Sequence, residues 1–517
     1  MIIKESRTKN VSRSLIWGVF SRMVLIVMPF VSRTVMIYTL GIDYVGLGSL
    51  FSSLLGILSF AELGMGSAMV YNMYKPVADG DDDKICLLLG YYRKSYRIIG
   101  FIILFCGLMC APFLNYLVKG NIPDGINLRM LFAIYMFNTA IGYFLFAYKG
   151  AIFLATQRVD MSTKIATFTG FVMNVLQIVA MIMFRSYYLY ALLIPLFTIV
   201  QNIIIARVAD KKYPQYIPKS GIAEKDVASI RRNVSGIVFQ KFGGIVLTSA
   251  DAVVISSFLG LNFLGIYNGY WSIITALVSL LGVLHTAIIP AIGNSLVLED
   301  KEKNYCDFKK FNFLYAWVLI WWCACLLCMF NPFMRLWQGS ENIFDESVVL
   351  LFVIFFFVHH IGDFSYLYKE ACGLWWEGKL VPLISSLVNI TLNVLLVQSI
   401  GIAGILLSTI ISIGFINIPF GGKVLFQGYF KRKSYYLSFL FDIIKYFAIC
   451  IVVSLITYAL CSVYTVNSDL VMLIKNGIIC LVVPNIILYF IFCRTTNYKN
   501  AKLFVKEALF QSRGIMR

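Results

Sequence analysis

The amino-acid sequence predicts an all-α, polytopic membrane protein with fourteen transmembrane helices, arranged as two parallel six-helix repeats plus a C-terminal helix pair. Three observations lead to this prediction. The chain of 517 residues is 60% hydrophobic and only 14% charged, which lies outside the range of soluble proteins. Its apolar runs recur at lengths of about 17 to 25 residues, enough to cross a bilayer core of about 30 Å. Its basic residues are distributed unevenly among the segments between those runs.

Each predicted span is an apolar run bounded by charged residues or turn signals. The first contains two arginines, the second contains Glu62, and the third and fourth enclose a short polar loop. The sixth and seventh are separated by the longest polar stretch of the chain. The spans are 14–40, 44–70, 98–118, 129–148, 163–184, 187–206, 233–258, 263–292, 311–333, 347–368, 380–399, 402–424, 439–463 and 470–493.

The Lys and Arg residues orient these spans, because basic loops stay on the cytoplasmic side of a membrane. With the N-terminus inside, nearly all basic residues outside the spans fall on the inner side, and both termini are cytoplasmic. The net charge of +18 is then typical of a membrane surface, so we expect no nucleic-acid partner. The first apolar run lacks a small-residue cleavage site and is interpreted as a retained helix. The predicted outer segments hold only Lys119, Arg129, Arg185 and Arg335.

Three short patterns recur at an offset of 219 or 220 residues, which indicates an internal duplication. LGIDYVGL at 40–47 matches LGLNFLGI at 259–266; the Pro-Phe pair at 112–113 matches that at 332–333; and Asn-Val-Leu at 174–176 matches 393–395. Six helices per repeat is an even number, so the repeats enter the membrane in the same direction, as in transporters. The predicted domains are a six-helix bundle (1–206), a basic cytoplasmic linker (207–232), a second bundle (233–424), two additional helices (425–493) and a basic cytoplasmic tail (494–517).

The first span carries Arg22 and Arg33, although an arginine near the centre of a membrane helix costs about 2.5–3.5 kcal/mol on insertion scales. Eleven residues separate them, which places both within about 20° on the helix surface and about 16 Å apart along it. One face of this helix is therefore not expected to contact lipid.

The repeat offset pairs these arginines with charges in the seventh span. Arg22 corresponds to Lys241, and the position of Asp251 corresponds to one residue before Arg33. Equivalent positions of parallel repeats lie at equal depth, so Arg22 and Lys241 form a cationic pair suited to an anionic ligand, unless carboxylates such as Glu62 neutralise them. Arg33 and Asp251 either form a gating salt bridge or are paired independently.

Other candidate groups are few. His285, His359, His360 and Asp363 are candidates for ion coupling, although packed or hydrogen-bonded histidine is the simpler interpretation. Cys325 and Cys328 form a CxxC pair without a second pair or a nearby His, and we interpret them as packing thiols. No enzymatic or metal-binding motif is present, so neither an enzyme nor a cofactor is expected.

The phrases FVSRTVMIYTLGIDYVGLGSL (30–50), AELGMGSA (61–68) and ISSFLGLNFLGIYNGY (255–270), with the six-plus-six-plus-two order, resemble bacterial Wzx-type polysaccharide flippases. These belong to the superfamily that also holds multidrug and toxin extrusion antiporters and the lipid II flippase. The resemblance implies transport of undecaprenyl-pyrophosphate-linked oligosaccharides across the bacterial cytoplasmic (inner) membrane for capsule or O-antigen assembly. It implies a cationic cavity with Arg22, Arg33 and Lys241, and membrane lipids and polysaccharide assembly proteins as partners.

Two alternatives remain. An ion-coupled multidrug antiporter of the same superfamily predicts a cavity dominated by carboxylates and no need for an added helix pair. A polytopic glycosyltransferase or polysaccharide polymerase predicts an outer loop large enough for a catalytic site, whereas the longest predicted outer loop is 334–346.

Overall fold

The computed structural model describes residues 7–62, 65–120, 122–374, 376–464 and 468–504, and every regular element in this part of the chain is helical. Ten helices are long and apolar enough to span a membrane, or eleven if the bent pair Leu128–Phe144 and Ala147–Ala155 is one span. The shorter apolar helices Met23–Thr39, Ile42–Leu58 and Gly243–Phe258 coincide with the first, second and seventh predicted spans. The all-α membrane class is confirmed; the count of fourteen and the side of the termini stay predictions.

The chain forms two compact units, Met1–Asn268 and Gly269–Arg517. The predicted domain boundaries at the basic linker stay a prediction. The first unit contains α1 (Arg7–Thr39), α2 (Ile42–Leu58), α3 (Met65–Asp79), α4 (Asp82–Cys110), α5 (Leu128–Phe144), α6 (Gly150–Ala155), α7 (Val159–Phe184), α8 (Tyr187–Lys212), α9 (Glu224–Phe258) and the first turns of α10 (Leu261–Leu298).

Two of the predicted spans are interrupted in this unit. α2 ends at Leu58 and continues as a 3-10 turn over Ser59–Glu62, where the Ser59 hydroxyl donates to the Leu55 carbonyl. After α5 the backbone of Phe146 is left-handed, with φ 55°, and the next helical segment departs at 51°. The first break ends at Glu62 and the second follows Tyr143, whose hydroxyl donates to the Glu62 carboxylate.

The two copies of one repeated sequence pattern, 40–47 and 259–266, are in contact in the first unit. An ideal Cβ on Gly46 of α2 would lie 2.2 Å from the Leu261 carbonyl oxygen, and one on Gly265 would lie 2.4 Å from the Ile42 carbonyl oxygen. These two backbones therefore touch where only glycine fits. Residues 42 and 46 differ from 261 and 265 by the repeat offset of 219. Each of the two segments thus contacts the other through the same position of the repeat.

The second unit is organised around α11 (Lys301–Gln338), to which α18 (Asp469–Phe492) is attached by polar contacts in an antiparallel register. The Trp317 and Trp321 indoles donate to Asn485 Oδ1 at 2.9 Å and the Cys480 carbonyl at 2.8 Å. Near the other end Arg335 and Asp469 pair at 3.1 Å. The unit contains the rest of α10, α11 (Lys301–Gln338), α12 (Glu346–Ile361), α13 (Asp363–Ala371), α14 (Leu380–Ile400), α15 (Ile402–Ser412), α16 (Ile418–Leu425), α17 (Lys433–Ser462) and α18 (Asp469–Phe492).

Candidate functional site

A groove rich in cations lies at one end of the first unit, between α4 and the chain that leads into α9. It has a volume of about 730 Å³, in the range of small-molecule binding clefts. Residues 219–222 are fastened along α4: the Lys219 amide donates to the Cys86 carbonyl at 2.9 Å, and an ideal Cβ on Gly90 would lie 1.8 Å from the Lys219 carbonyl oxygen. The basic residues of the lining are Arg93, Lys94, Arg97, Lys219 and Arg231.

Most of the charge in this groove is uncompensated. Lys219 forms an ion pair with Asp83 at 2.5 Å, and this hydrogen bond to a carboxylate raises the pKa of Lys219 above its ordinary value. Among the described residues no carboxylate pairs with Arg93, Arg97 or the remaining two cations of the lining. The groove therefore presents a positive surface to a ligand.

One side of the groove is apolar and exposed. Ile98 and Phe101 line it together with Arg97, and their side chains are 51% and 65% exposed. On a membrane helix, exposed side chains of this kind are suited to lipid tails, while arginine at the helix end reaches the interface. The groove thus combines a cationic surface with an apolar flank on consecutive turns of α4.

A hydrogen-bonded set of tyrosines surrounds Glu62. Its two carboxylate oxygens accept from the Tyr96 hydroxyl at 3.0 Å and from the Tyr143 hydroxyl at 2.6 Å. The Tyr92 hydroxyl in turn donates to that of Tyr96. Only cationic partners were predicted for Glu62 from the sequence, and these phenols were missed. A signal was present, because tyrosines at i and i+4 of a helix place two hydroxyls on one helix face.

Arg33 and Asp251 are held by adjacent residues of α10. Arg33 Nη1 donates to the Asn268 carbonyl at 3.1 Å, and the buried Asp251 carboxylate accepts from the Tyr267 hydroxyl at 3.4 Å. Within the described part of the chain no ion pair joins Arg33 to Asp251. Their role as a gating salt bridge stays a prediction.

The other two predicted cavity residues are Arg22 on α1 and Lys241 on α9. Their helices are described, but their side chains lie outside the described residues. The predicted pairing of Arg22 with Lys241, and that of Arg22 with Glu62, therefore stay predictions.

All the residues predicted as candidates for coupling meet in the second unit. His360 Nδ1 and Asp363 Oδ2 are 2.8 Å apart, across the break at the end of α12. The ring of His359 lies 4.7 Å from that of His360, and the ring of His285 lies 5.7 Å from that of Tyr315. These three are all the histidines of the chain.

Tyr315 of α11 completes this cluster and was not predicted. Its hydroxyl donates to the same oxygen, Asp363 Oδ2, at 2.8 Å. Asp363 Oδ2 thus accepts a hydrogen bond from the Tyr315 phenol and faces the His360 imidazole. A proton added to the imidazole or to the carboxylate changes the hydrogen bonds among all three groups. Whether the cluster couples transport to an ion stays a prediction.

Comparison with known proteins supports the fold. No protein-family model and no curated protein sequence matches the chain. Among solved structures, the lipid II flippase MurJ in an inward closed conformation superposes with a TM-score of 0.64 at 15% identity, covering 94% of this chain and 100% of that one. An inward-facing multidrug resistance transporter of the MATE family, in the MOP superfamily, gives 0.60 at 12% identity, covering 81% and 98%.

A further MOP superfamily transporter, from Pyrococcus furiosus and described by a reversed polarity of its binding pocket, gives a TM-score of 0.51 at 13% identity, covering 83% and 96%. The chain therefore has the fold of this group of membrane transporters. These three solved structures are those of transporters or a flippase, and the expectation that this chain is not an enzyme stays a prediction.

Proposed function

We propose that the chain is a flippase that moves undecaprenyl-pyrophosphate-linked oligosaccharide repeat units from the inner to the outer leaflet of a bacterial cytoplasmic membrane by alternating access. The observation that carries this proposal is the basic groove beside α4, with its exposed apolar flank. A lipid-linked diphosphate has both properties that this groove is suited to bind: a strongly anionic head and a hydrocarbon chain that remains in the bilayer.

The charge of the groove favours a phosphate ligand in particular. Guanidinium groups bind phosphate oxygens through two parallel hydrogen bonds, and Arg93 and Arg97 lie one helical turn apart on α4. A diphosphate spans such a pair. By the positive-inside rule this end of the unit faces the cytoplasm, where lipid-linked precursors are assembled. We infer that the groove receives the head group before it moves toward Arg22 and Arg33.

One of the similar solved structures supports a lipid substrate. MurJ is named as a lipid II flippase and is covered over its whole length. The superposition with MurJ covers 94% of this chain, and that with the MATE transporter covers 81%. The difference corresponds to about as many residues as the α17–α18 pair contains. We propose that this pair provides a surface for the lipid tail.

The proposal is tested by removing both guanidinium groups. Each charged hydrogen-bonded contact contributes about 1.5–3 kcal/mol, so Arg93→Ala with Arg97→Ala should weaken binding of an undecaprenyl-diphosphate glycan by at least about a hundredfold. Binding is measured on the full chain in lipid nanodiscs, and inner-to-outer movement in proteoliposomes. Lys499→Ala removes an exposed charge outside the groove and should leave both unchanged.

The second candidate is an ion-coupled multidrug antiporter. The buried Asp251 and the tyrosine-bound Glu62 favour it, because carboxylates attract cationic drugs, and the MATE similarity agrees. This function predicts that cells making the protein accumulate less ethidium, and that removing Arg93 and Arg97 does not impair efflux. Ethidium efflux by the wild-type protein without any inner-to-outer movement of the glycan would refute the flippase, whereas unchanged glycan movement in the double variant would refute the role of the groove.

A further inference from the structure

Four cysteines from three helices of the second unit meet inside the protein. The sulfur atoms of Cys328 on α11, Cys461 on α17 and Cys480 on α18 all lie within 4.8 Å of one another, and the three residues are at most 6% exposed. Cys325, one turn before Cys328, is partly buried and packs against the same cluster. The sequence alone suggested that the CxxC pair were packing thiols, because no second pair was visible. The added helices supply that pair.

The three clustered cysteines are held in place through their own main chains. The Cys328 carbonyl accepts from Asn476 Nδ2 at 2.9 Å, and the Cys480 carbonyl accepts from the Trp321 indole at 2.8 Å. The third carbonyl of the set, that of Cys461, accepts from Lys475 Nζ at 2.7 Å. Side chains that fix the backbone of would-be ligands are what keeps a metal site preorganised.

We propose that Cys328, Cys461 and Cys480 bind one thiophilic d10 metal ion, Zn²⁺ or Cu⁺, with Cys325 available as a fourth sulfur. Thiolates are the ligands that both ions prefer. A Zn–S bond of about 2.3 Å places tetrahedral sulfurs about 3.8 Å apart, which small rotations of these side chains reach from the present spacing.

Charge balance supports a metal at this depth. Three thiols and Zn²⁺ give a zinc tris-thiolate of net charge −1 and release three protons; two thiols and Cu⁺ give a bis-thiolate of the same charge and release two. The Lys475 ammonium beside Cys461 compensates this charge in either case. Buried thiolates without a metal or a cation are costly in a low-dielectric interior.

The cluster lies close to the end of α17, and a bound ion would connect three helices there. Cys461 is the residue before the last one of α17, and Val463 and Tyr464, which follow, are 80% and 72% exposed. The Cys461 sulfur therefore lies next to the exposed end of α17, and we expect an ion to enter from that end. Once bound, it connects α11, α17 and α18 covalently through sulfur, at a place where no backbone joins α11 to the pair.

The test uses the full-length protein in detergent, reduced and handled without oxygen. Zn²⁺ or Cu⁺ is added to the metal-free protein, excess is removed against a competing chelator, and bound metal is counted by elemental analysis and native mass spectrometry. We expect one ion per chain, retained against the chelator in one of the two arms, and a higher melting temperature in that arm. Cys480→Ser should weaken retention at least about tenfold, since it removes one of the three clustered sulfurs, and the most deeply buried of them.

Controls distinguish this site from adventitious thiol binding. Cys86→Ala removes a buried thiol that donates to Gln215 in the first unit and should leave the stoichiometry unchanged. If Cys480→Ser does not yield a monodisperse protein, Cys461→Ser at the edge of the cluster replaces it. Less than one ion per chain in both arms, full retention by the serine variant, or an intact mass two hydrogens short from a disulfide within the cluster would overturn the proposal.

Discussion

The contact between Gly46 and Gly265 allows a prediction whose size follows from the structure. In Gly46→Ala the new Cβ lies 2.2 Å from the Leu261 carbonyl oxygen and 3.0 Å from the carbonyl carbon. Backbone cannot rotate aside as a flexible side chain does, so α2 and the start of α10 must separate by roughly 1 Å to restore an ordinary contact distance. Overpacking of this kind costs about 1–3 kcal/mol, and the better helix propensity of alanine returns at most about 1 kcal/mol.

The matched control is Gly142→Ala in α5, because an ideal Cβ there has no neighbouring atom within 4 Å. It should keep or slightly raise the melting temperature. The melting temperature is measured on detergent-solubilised protein by heating samples and monitoring the folded fraction by size-exclusion chromatography with fluorescence detection. Gly46→Ala should have a melting temperature several degrees below that of the wild type. Gly265→Ala, whose Cβ meets the Ile42 carbonyl oxygen at 2.4 Å, should behave alike.

The two glycine substitutions act on one interface, so their effects should not add. Once the helices have separated for one alanine, the second finds part of its space already made, and the double variant should melt only slightly below either single variant. Equal melting of Gly46→Ala and Gly142→Ala would refute the close backbone contact. If the losses in melting temperature of the two single variants add fully in the double variant, the two glycines do not share one contact.

Three further predictions concern the candidate sites. Arg22→Ala should abolish export of surface polysaccharide while the protein stays in the membrane, because the pyrophosphate loses a cationic contact; normal polysaccharide in that strain would contradict this. Asp363→Asn removes the charge and the titratable group of the carboxylate that Tyr315 and His360 share, and it should flatten the change in transport rate between pH 5.5 and 8 if this cluster couples a proton; an unchanged pH profile in proteoliposomes would exclude that role. Tyr143→Phe takes one of two phenol donors from a carboxylate and should lower the unfolding free energy by about 1–3 kcal/mol in thermal melts, whereas Tyr116→Phe, 80% exposed, should not.

Hydropathy was sufficient to predict the class of fold and the places of the helices. Burial in lipid imposes one requirement, an apolar run of sufficient length, and that requirement is visible residue by residue. The breaks at Ser59–Glu62 and at Phe146 were not predicted, because a single turn of altered backbone leaves the apolar run intact. They depend on local hydrogen bonds that composition does not encode.

The candidate sites were predicted only where single residues were conspicuous. An ionisable residue in a membrane span is rare, so the histidines and Asp363 were recognised individually, but nothing in the sequence placed them together with Tyr315. The basic groove joins Arg93 and Arg97 to Lys219, more than a hundred positions away, and the sulfur cluster joins Cys325 and Cys328 to the last two helices in the same way. Contacts between distant segments are set by packing, and a single sequence does not show them.

The polar attachments between α11 and α18 bear on how the last two helices move. An indole donates at Trp317 and another at Trp321, and Arg335 meets Asp469 a few turns away, so α18 is fixed to one helix along most of its length. Sliding it by a single turn breaks the two indole hydrogen bonds and the ion pair together, and in the bilayer core no water replaces a lost indole partner. We therefore expect α18 to move with α11 as one rigid body in any conformational change of the second unit.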